Sequence, residues 1–176
     1  PMHPAISPLG DCGLLVELGS GIDPAVNRRV QRLHRLILQE KLWGVVESVP
    51  AYASLLVVYD PLRAAPEALK RQLCGLCALE DDGSVEAAPK VVEIPVVYGG
   101  EGGPDLDGVA AFQGLSPEEV VRLHSATVYR VYMIGFTPGF PYMGELPRAL
   151  DTPRRETPRT RIPKGSVAIA QRQTGI

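Results

Sequence analysis

Apolar positions in the first half of the chain alternate between two periods. Leu14–Leu18 is a short apolar run between Gly13 and Gly19 and predicts a buried strand. Asp23-Pro24 then predicts a helix start, with Asp as cap and Pro at the first helical position. Val26, Val30, Leu33 and Ile37 follow at spacings that place them on one helical face, while Arg28, Arg29, Arg32 and Arg35 lie elsewhere around the cylinder. Gly44 predicts the stop. Val45–Val49 and Tyr52–Tyr59 predict strands on either side of Pro50, the second ended by Asp60-Pro61. Pro66–Leu79 predicts a second helix with Leu69, Leu73 and Leu76 on one face. A polar loop over 80–89, containing Asp81-Asp82-Gly83, leads to Val91–Tyr98, a fourth strand whose Pro95 suggests an edge position.

This order, β-α-β-β-α-β, is the split βαβ or ferredoxin-like signature. The predicted division is an N-terminal ferredoxin-like domain over 1–89 and a second domain over 90–176, although the fourth strand fits either. Beyond it lie a glycine-rich stretch (Gly99–Gly103), acidic Asp105 and Asp107, and Ser116-Pro117-Glu118-Glu119, a capping box that opens a helix to about Ser125. Thr127–Ile134 alternates as a strand. From Gly135 onward, turns and short extended pieces, ending in Ser166–Ala170, predict a β-rich second domain, so the chain as a whole reads as α+β.

Composition narrows the class. At 176 residues, 45% hydrophobic with three Cys, the chain is neither disordered, collagenous nor a disulfide scaffold. It contains no apolar run long enough for a membrane helix, and its start shows no leader pattern, so the cytoplasm is the expected location. The formal net charge of -2 hides an asymmetry: residues 146–176 carry seven Lys/Arg against two Asp/Glu. Prolines space these cations, with six between Pro138 and Pro163. Without a nucleic-acid motif, the pattern points to an anion site rather than to nucleic acid, because arginine forks match carboxylates and prolines fix the loop.

Other candidate chemistry is thinner. Cys74-Gly75-Leu76-Cys77 lies well inside a predicted helix rather than at its start, so these are expected to be core cysteines. His3, His34 and His124 have no partners at metal-ligand spacing, and no metal site is predicted; His124 is either a packed neutral ring or a proton-transfer group. The glycine-rich stretch lacks the ending of a phosphate-binding loop, and no nucleophile elbow occurs. By contrast, Gly135-Phe136-Thr137-Pro138-Gly139-Phe140-Pro141-Tyr142-Met143-Gly144 fits a shaped apolar wall. Beside the arginines of 154–161 it would suit a small carboxylic acid.

Leu123-His124-Ser125, Tyr129-Arg130-Val131, the Gly135–Gly144 run, Pro153-Arg154-Arg155, Thr157-Pro158-Arg159, Ile162–Ala170 and Gln173–Ile176 together resemble one family. It is the family of the 5-oxoprolinase B component, also called allophanate hydrolase subunit 1 or the KipI-type kinase inhibitor. The resemblance is dense from about residue 120 onward; before that only the order of elements is compatible. It implies that the second domain is a cyclophilin-like β-barrel, with family strands continuing past Gln-Thr-Gly-Ile and therefore incomplete here. It implies an amidohydrolase component that acts with the C and A components of 5-oxoprolinase to cleave 5-oxoproline to glutamate. The assembly would consume ATP, as its magnesium complex, and this chain would be inactive without those partners. Alternatives within the family are an inhibitor bound to a sensor histidine kinase and a carboxyltransferase component of a urea carboxylase/allophanate hydrolase system.

Carried onto this sequence, the resemblance implies catalytic roles for His124, Arg154, Arg155 and Arg159. It implies substrate binding by Phe136, Pro138, Gly139, Phe140, Pro141, Tyr142, Ser166, Gln173 and Thr174, and Lys164 is a further substrate-binding candidate from this sequence itself. Lys164 stands where many relatives have Ala and adds a cation.

Overall fold

The computed structural model describes residues 4–79 and 90–176; His3 and the polar loop over 80–89 lie outside the described residues. The chain divides into two compact units, Pro1–Ala87 and Ala88–Ile176, and both mix helix and strand.

The first unit is a four-stranded sheet carrying two helices. Its elements are β1 (Ala5–Leu9), β2 (Gly13–Glu17), α1 (Pro24–Glu40), β3 (Val45–Pro50), β4 (Ser54–Tyr59) and α2 (Pro66–Ala78). The sheet order is β1-β2-β4-β3 with every neighbouring pair antiparallel. Because β4 lies antiparallel between β2 and β3, those two strands run parallel to each other and are joined through α1. Its core follows from alternation: Leu14 and Val16 of β2 pair with Val57 and Leu55 of β4, and all four are fully buried. Onto them α1 lays Val30, Leu33 and Ile37, and α2 lays Leu69 and Leu73. Burying one such side chain contributes about 1.5–3 kcal/mol.

The start of α1 forms as its sequence dictates. Asp23 accepts hydrogen bonds from the backbone N–H groups of Ala25 (2.6 Å) and Val26 (3.1 Å), and Pro24 opens the helix. The helix ends sooner than Gly44 suggested, at Glu40, with Lys41 in the left-handed region. A polar residue interrupts the buried face: Asn27 is 2% exposed, and its Nδ2 donates to the carbonyls of Ala51 (3.1 Å) and Tyr52 (3.2 Å) in the β3–β4 turn. This side chain ties helix to turn by satisfying backbone acceptors that packing alone would leave dry.

Two segments differ from their sequence expectations. Val91–Tyr98 is not a strand, and it joins no sheet among the described residues; the fourth place in the sheet is filled by β1 from the other end of the unit. Strand identity depends on a partner as well as on β-branched residues, and Val91, Val92, Ile94 and Val97 remain exposed. The cysteines are not both core: Cys74 is exposed, while Cys77 is half-buried against the core. Burial, then the neighbouring Cys74, pushes the Cys77 thiol up to about 11, so it is no redox nucleophile near neutrality.

The second unit is less sheet-rich than its turns suggested. It contains α3 (Leu106–Gln113), α4 (Pro117–Ser125), the antiparallel pair β5 (Val131–Ile134) and β6 (Pro141–Met143), and the antiparallel pair β7 (Ala168–Ala170) and β8 (Gln173–Gly175). Ala110 and Val120 from the helices meet Leu146 and Leu150 in its small core, with Tyr129 and Ile169 packed alongside. Ser116 caps α4 as predicted, accepting from the Glu119 N–H at 3.2 Å. Only half of the capping box forms, because the Glu119 carboxylate turns to Arg122 instead (2.6 and 2.8 Å). No helix among the described residues is long and apolar enough to cross a membrane.

Asn27→Ala strands two turn carbonyls and is expected to lower the stability of the first unit by about 1–3 kcal/mol. Urea denaturation followed by Trp43 fluorescence measures this; an unchanged midpoint would show that the turn does not depend on the amide.

Candidate functional site

The residues singled out in the second unit gather into three clusters. The first surrounds His124, which α4 delivers near its C-terminus. The ring is 8% exposed. Its Nδ1 lies 2.6 Å from the Tyr98 hydroxyl and its Nε2 lies 2.9 Å from the Thr174 hydroxyl. Thr174, itself 6% exposed, donates its single proton to the Ala168 carbonyl (3.2 Å), so toward the histidine it only accepts. With the Thr174 proton assigned to the Ala168 carbonyl, Nε2 carries the ring proton and Nδ1 accepts from Tyr98. Protons point one way along this chain: Tyr98 to His124 to Thr174 to Ala168. Burial holds the His124 pKa below its ordinary value and raises that of Tyr98, which keeps both groups neutral. Tyr129 closes the cluster, its ring 5.5 Å from the imidazole and its hydroxyl donating to the His124 carbonyl at 3.0 Å.

The second cluster is the aromatic loop between β5 and β6. Phe136, Phe140 and Tyr142 form an edge-to-face ladder with centroids 5.8 and 5.3 Å apart. Gly139 (φ 87°) turns the chain, and Phe140 N–H donates to the Thr137 carbonyl while Gly135 N–H donates to the Phe140 carbonyl. Pro138 sits in this turn and Pro141 begins β6. Gly175 of β8 backs the ladder: a Cβ there would lie 3.0 Å from the Phe140 ring. The Phe136 ring stands 86% exposed.

The third cluster is ionic. Arg159 grips Asp105 with both terminal nitrogens, Nη2 to Oδ1 at 2.8 Å and Nη1 to Oδ2, and Arg155 Nη1 adds a bond to Oδ1 at 3.0 Å. The hydrogen bond from Arg159 holds the Asp105 carboxyl below the usual carboxylate range. Arg154 and Lys164 are exposed and form no ion pair with a described residue. Ser166 turns its hydroxyl back onto the Pro163 carbonyl (2.7 Å), where it braces the loop, and Gln173 lies in β8 opposite Ala170.

The structure thus brings His124 to Thr174, the aromatics to one another, and Arg155 to Arg159. The arginine pair and the His124 cluster share no hydrogen bond or ion pair among the described residues. Sequence reasoning missed Asp105 and Tyr98 as partners, 54 and 26 residues away from the groups they meet. Asp105 reads only as an acidic residue after a glycine-rich stretch and Tyr98 as a strand end, and neither pattern carries the long-range contact. Among the described residues, no three His, Cys, Asp or Glu gather as a metal site.

A model of the family described as carboxyltransferase domain, subdomain C and D, matches residues 4–176. The chain belongs to this family. Within it, the chain is 40% identical to the 5-oxoprolinase B component of Bacillus subtilis (strain 168), over 97% of this chain and 75% of that protein. It is 41% identical to the 5-oxoprolinase B component of Escherichia coli O157:H7, over 96% of this chain and 75% of that one. Among solved structures, TTHA0988 superposes with a TM-score of 0.78 at 43% identity, covering 93% of this chain and 32% of that one, so the chain spans about a third of that protein. Kluyveromyces lactis urea carboxylase shares the fold, with a TM-score of 0.70 at 17% identity over 98% of this chain and 17% of that one.

The His124 cluster makes this carboxyltransferase-type unit acid-sensitive. With its folded pKa depressed, His124 takes up a proton more readily in the unfolded chain. Stability is therefore full above the ordinary histidine value of about 6.5 and falls as pH drops below it, by at most about 1.4 kcal/mol per pH unit. Thermal melts between pH 7.5 and 5 are expected to show this slope in the native protein and to lose it in His124→Asn. Equal slopes in the two would assign the acid sensitivity elsewhere.

Proposed function

We propose that this chain is the B component of an ATP-dependent 5-oxoprolinase, which opens the lactam of 5-oxoproline to glutamate together with the A and C components. The observation that carries the reading is about 40% identity, over nearly the whole chain, to two proteins of that name. The site adds compatible chemistry: two guanidiniums already hold one carboxylate, and 5-oxoproline offers another of the same kind. In this reading the first unit is ferredoxin-like and the second belongs to a cyclophilin-like barrel.

A five-membered lactam is stabilised by amide resonance and resists water. Transfer of the γ-phosphoryl group of ATP to the lactam oxygen forms an O–P bond as ADP leaves. Water then adds to the ring carbon, the C–N bond breaks with the nitrogen taking a proton, and a second water releases phosphate to leave glutamate. ATP enters as co-substrate of the assembled enzyme and brings its magnesium with it.

The roles of this chain are binding and orientation. Arg155 and Arg159 hold the substrate carboxylate, with Arg154 and Lys164 adding positive potential in the same loop. The Phe136–Phe140–Tyr142 ladder supplies an apolar face for the ring and for the partner proteins. His124 acts as a positioning residue: with both ring nitrogens engaged, it sets Tyr98 and Thr174 rather than meeting substrate directly.

Reconstitution with the A and C components and an assay of 5-oxoproline-dependent ATP hydrolysis test the reading. Arg159→Ala is expected to lower kcat/KM by about 10- to 100-fold, the strength of a charge-assisted bond. Wild-type turnover by the Arg155→Ala/Arg159→Ala double variant would remove the arginines from the site, and no activity in the complete assembly would reject the function.

A further inference from the structure

We propose that Asp105 is a built-in competitor for the carboxylate site: it occupies the Arg155–Arg159 fork when no substrate is bound, and a ligand carboxylate must displace it. The inference rests on the reading above, in which these arginines hold the substrate carboxylate.

Three observations carry it. First, Asp105 takes the face of Arg159 best suited to a ligand, since both terminal nitrogens are committed to its two oxygens in a fork-to-fork pair. Arg155 adds a third bond to the same carboxylate. The occupant and the proposed ligand thus present the same group to the same donors.

Second, the Asp105 side chain makes no other polar contact among the described residues. It stands at the N-cap of α3, the place where an aspartate ordinarily accepts from the first free backbone N–H groups, yet it makes no such cap bond. Among the described residues its carboxylate bonds to the arginines alone, 50 and 54 residues away in sequence.

Third, the contact is built to be exchanged. The Asp105 side chain is 45% exposed, and the arginine side chains are exposed to a similar degree, 57% and 41%. At this exposure water and salt screen even a bidentate pair, so an incoming carboxylate that matches its geometry can exchange with it. Two guanidiniums against one carboxylate also leave a positive excess, which attracts a second anion before the first has left. The ionised state of Asp105 persists to low pH, so the competitor is present throughout the physiological range.

The consequence is selective. A monodentate or weakly basic anion cannot replace a bidentate carboxylate, whereas a carboxylate ligand that gains further contacts through its ring can. Asp105 thereby sets a threshold on what enters the fork.

Titration calorimetry of the full-length protein with L-5-oxoproline, at fixed low salt, tests this in the wild type, Asp105→Asn, Arg159→Gln and the double variant. Asp105→Asn keeps the size of the side chain and removes its charge, and is expected to tighten binding by about three- to tenfold. Asp105→Glu retains the charge and is expected to stay near the wild type. The gain from Asp105→Asn is expected to vanish when Arg159→Gln is added. If Asp105→Asn binds equally or more weakly, Asp105 positions the arginines instead of competing for them, and the proposal is overturned while the arginine site stands. If Arg159→Gln leaves the affinity of Asp105→Asn unchanged, or if no variant binds, the arginine reading itself fails and the proposal falls with it.

Discussion

The second unit depends on one buried imidazole held at both of its nitrogens. His124 is engaged at both ring nitrogens, Nδ1 by the Tyr98 hydroxyl and Nε2 by the Thr174 hydroxyl, which also reaches the Ala168 carbonyl. Three segments distant in sequence are joined through one neutral ring: the extended stretch ending at Tyr98, helix α4, and the β7–β8 pair. β8 then passes the constraint on. Its Thr174 serves the histidine, and its next residue, Gly175, lets the Phe140 ring lie against the strand. A three-residue strand thus fixes both the polar centre and the back of the aromatic loop. Its own ladder is too short to hold such a position, so the side-chain network gives it definition.

The ionic cluster obeys the opposite logic. Where His124 is buried, neutral and fully engaged, Asp105 and its arginines are exposed, charged and free to exchange. Prolines at 153, 158 and 163 restrict the backbone that carries the arginines, so less entropy is lost in presenting a fork than a glycine-rich loop would lose. Rigid backbone with replaceable contacts is what an anion site needs. A buried pair would hold its own partner too well, and a flexible loop would hold no ligand in one orientation.

How much of this was legible in the sequence depended on whether the signal was local. Helix α1 was readable because its cap, its first-turn proline and its apolar face all lie within a few residues of one another, and Asp23 caps where expected. Helix α4 was readable for the same reason, although the presence of Arg122 diverts Glu119 from the cap it was expected to make. Strand β1 was not, because an edge strand with a largely exposed pattern and a proline at position 8 has no apolar alternation to show. Val91–Tyr98 failed in the other direction: its composition is that of a strand, but pairing is a property of two segments. The arginine and aromatic residues of the site were visible as types. Their partners, Asp105 and Tyr98, were not, because each joins its cluster across a separation that no periodicity encodes.

The aromatic loop carries one further constraint. Phe136 has φ 61°, in the left-handed region, although Gly135 and Gly139 stand nearby where such backbone would be free of strain. A bulky residue there costs about 1–2 kcal/mol. Packing within the described residues returns little of it, since the ring touches Phe140 at one edge and is otherwise open. Glycine at this position would relieve the backbone, but it would remove the outer rung of the ladder. The loop therefore favours an exposed aromatic surface over local stability, and that surface is the kind buried when a ring-shaped ligand or a partner protein is received. Strain at the tip, rigidity at the base through Gly175 and the His124 cluster, and a replaceable carboxylate at the arginines together describe a unit shaped for binding rather than for its own compactness.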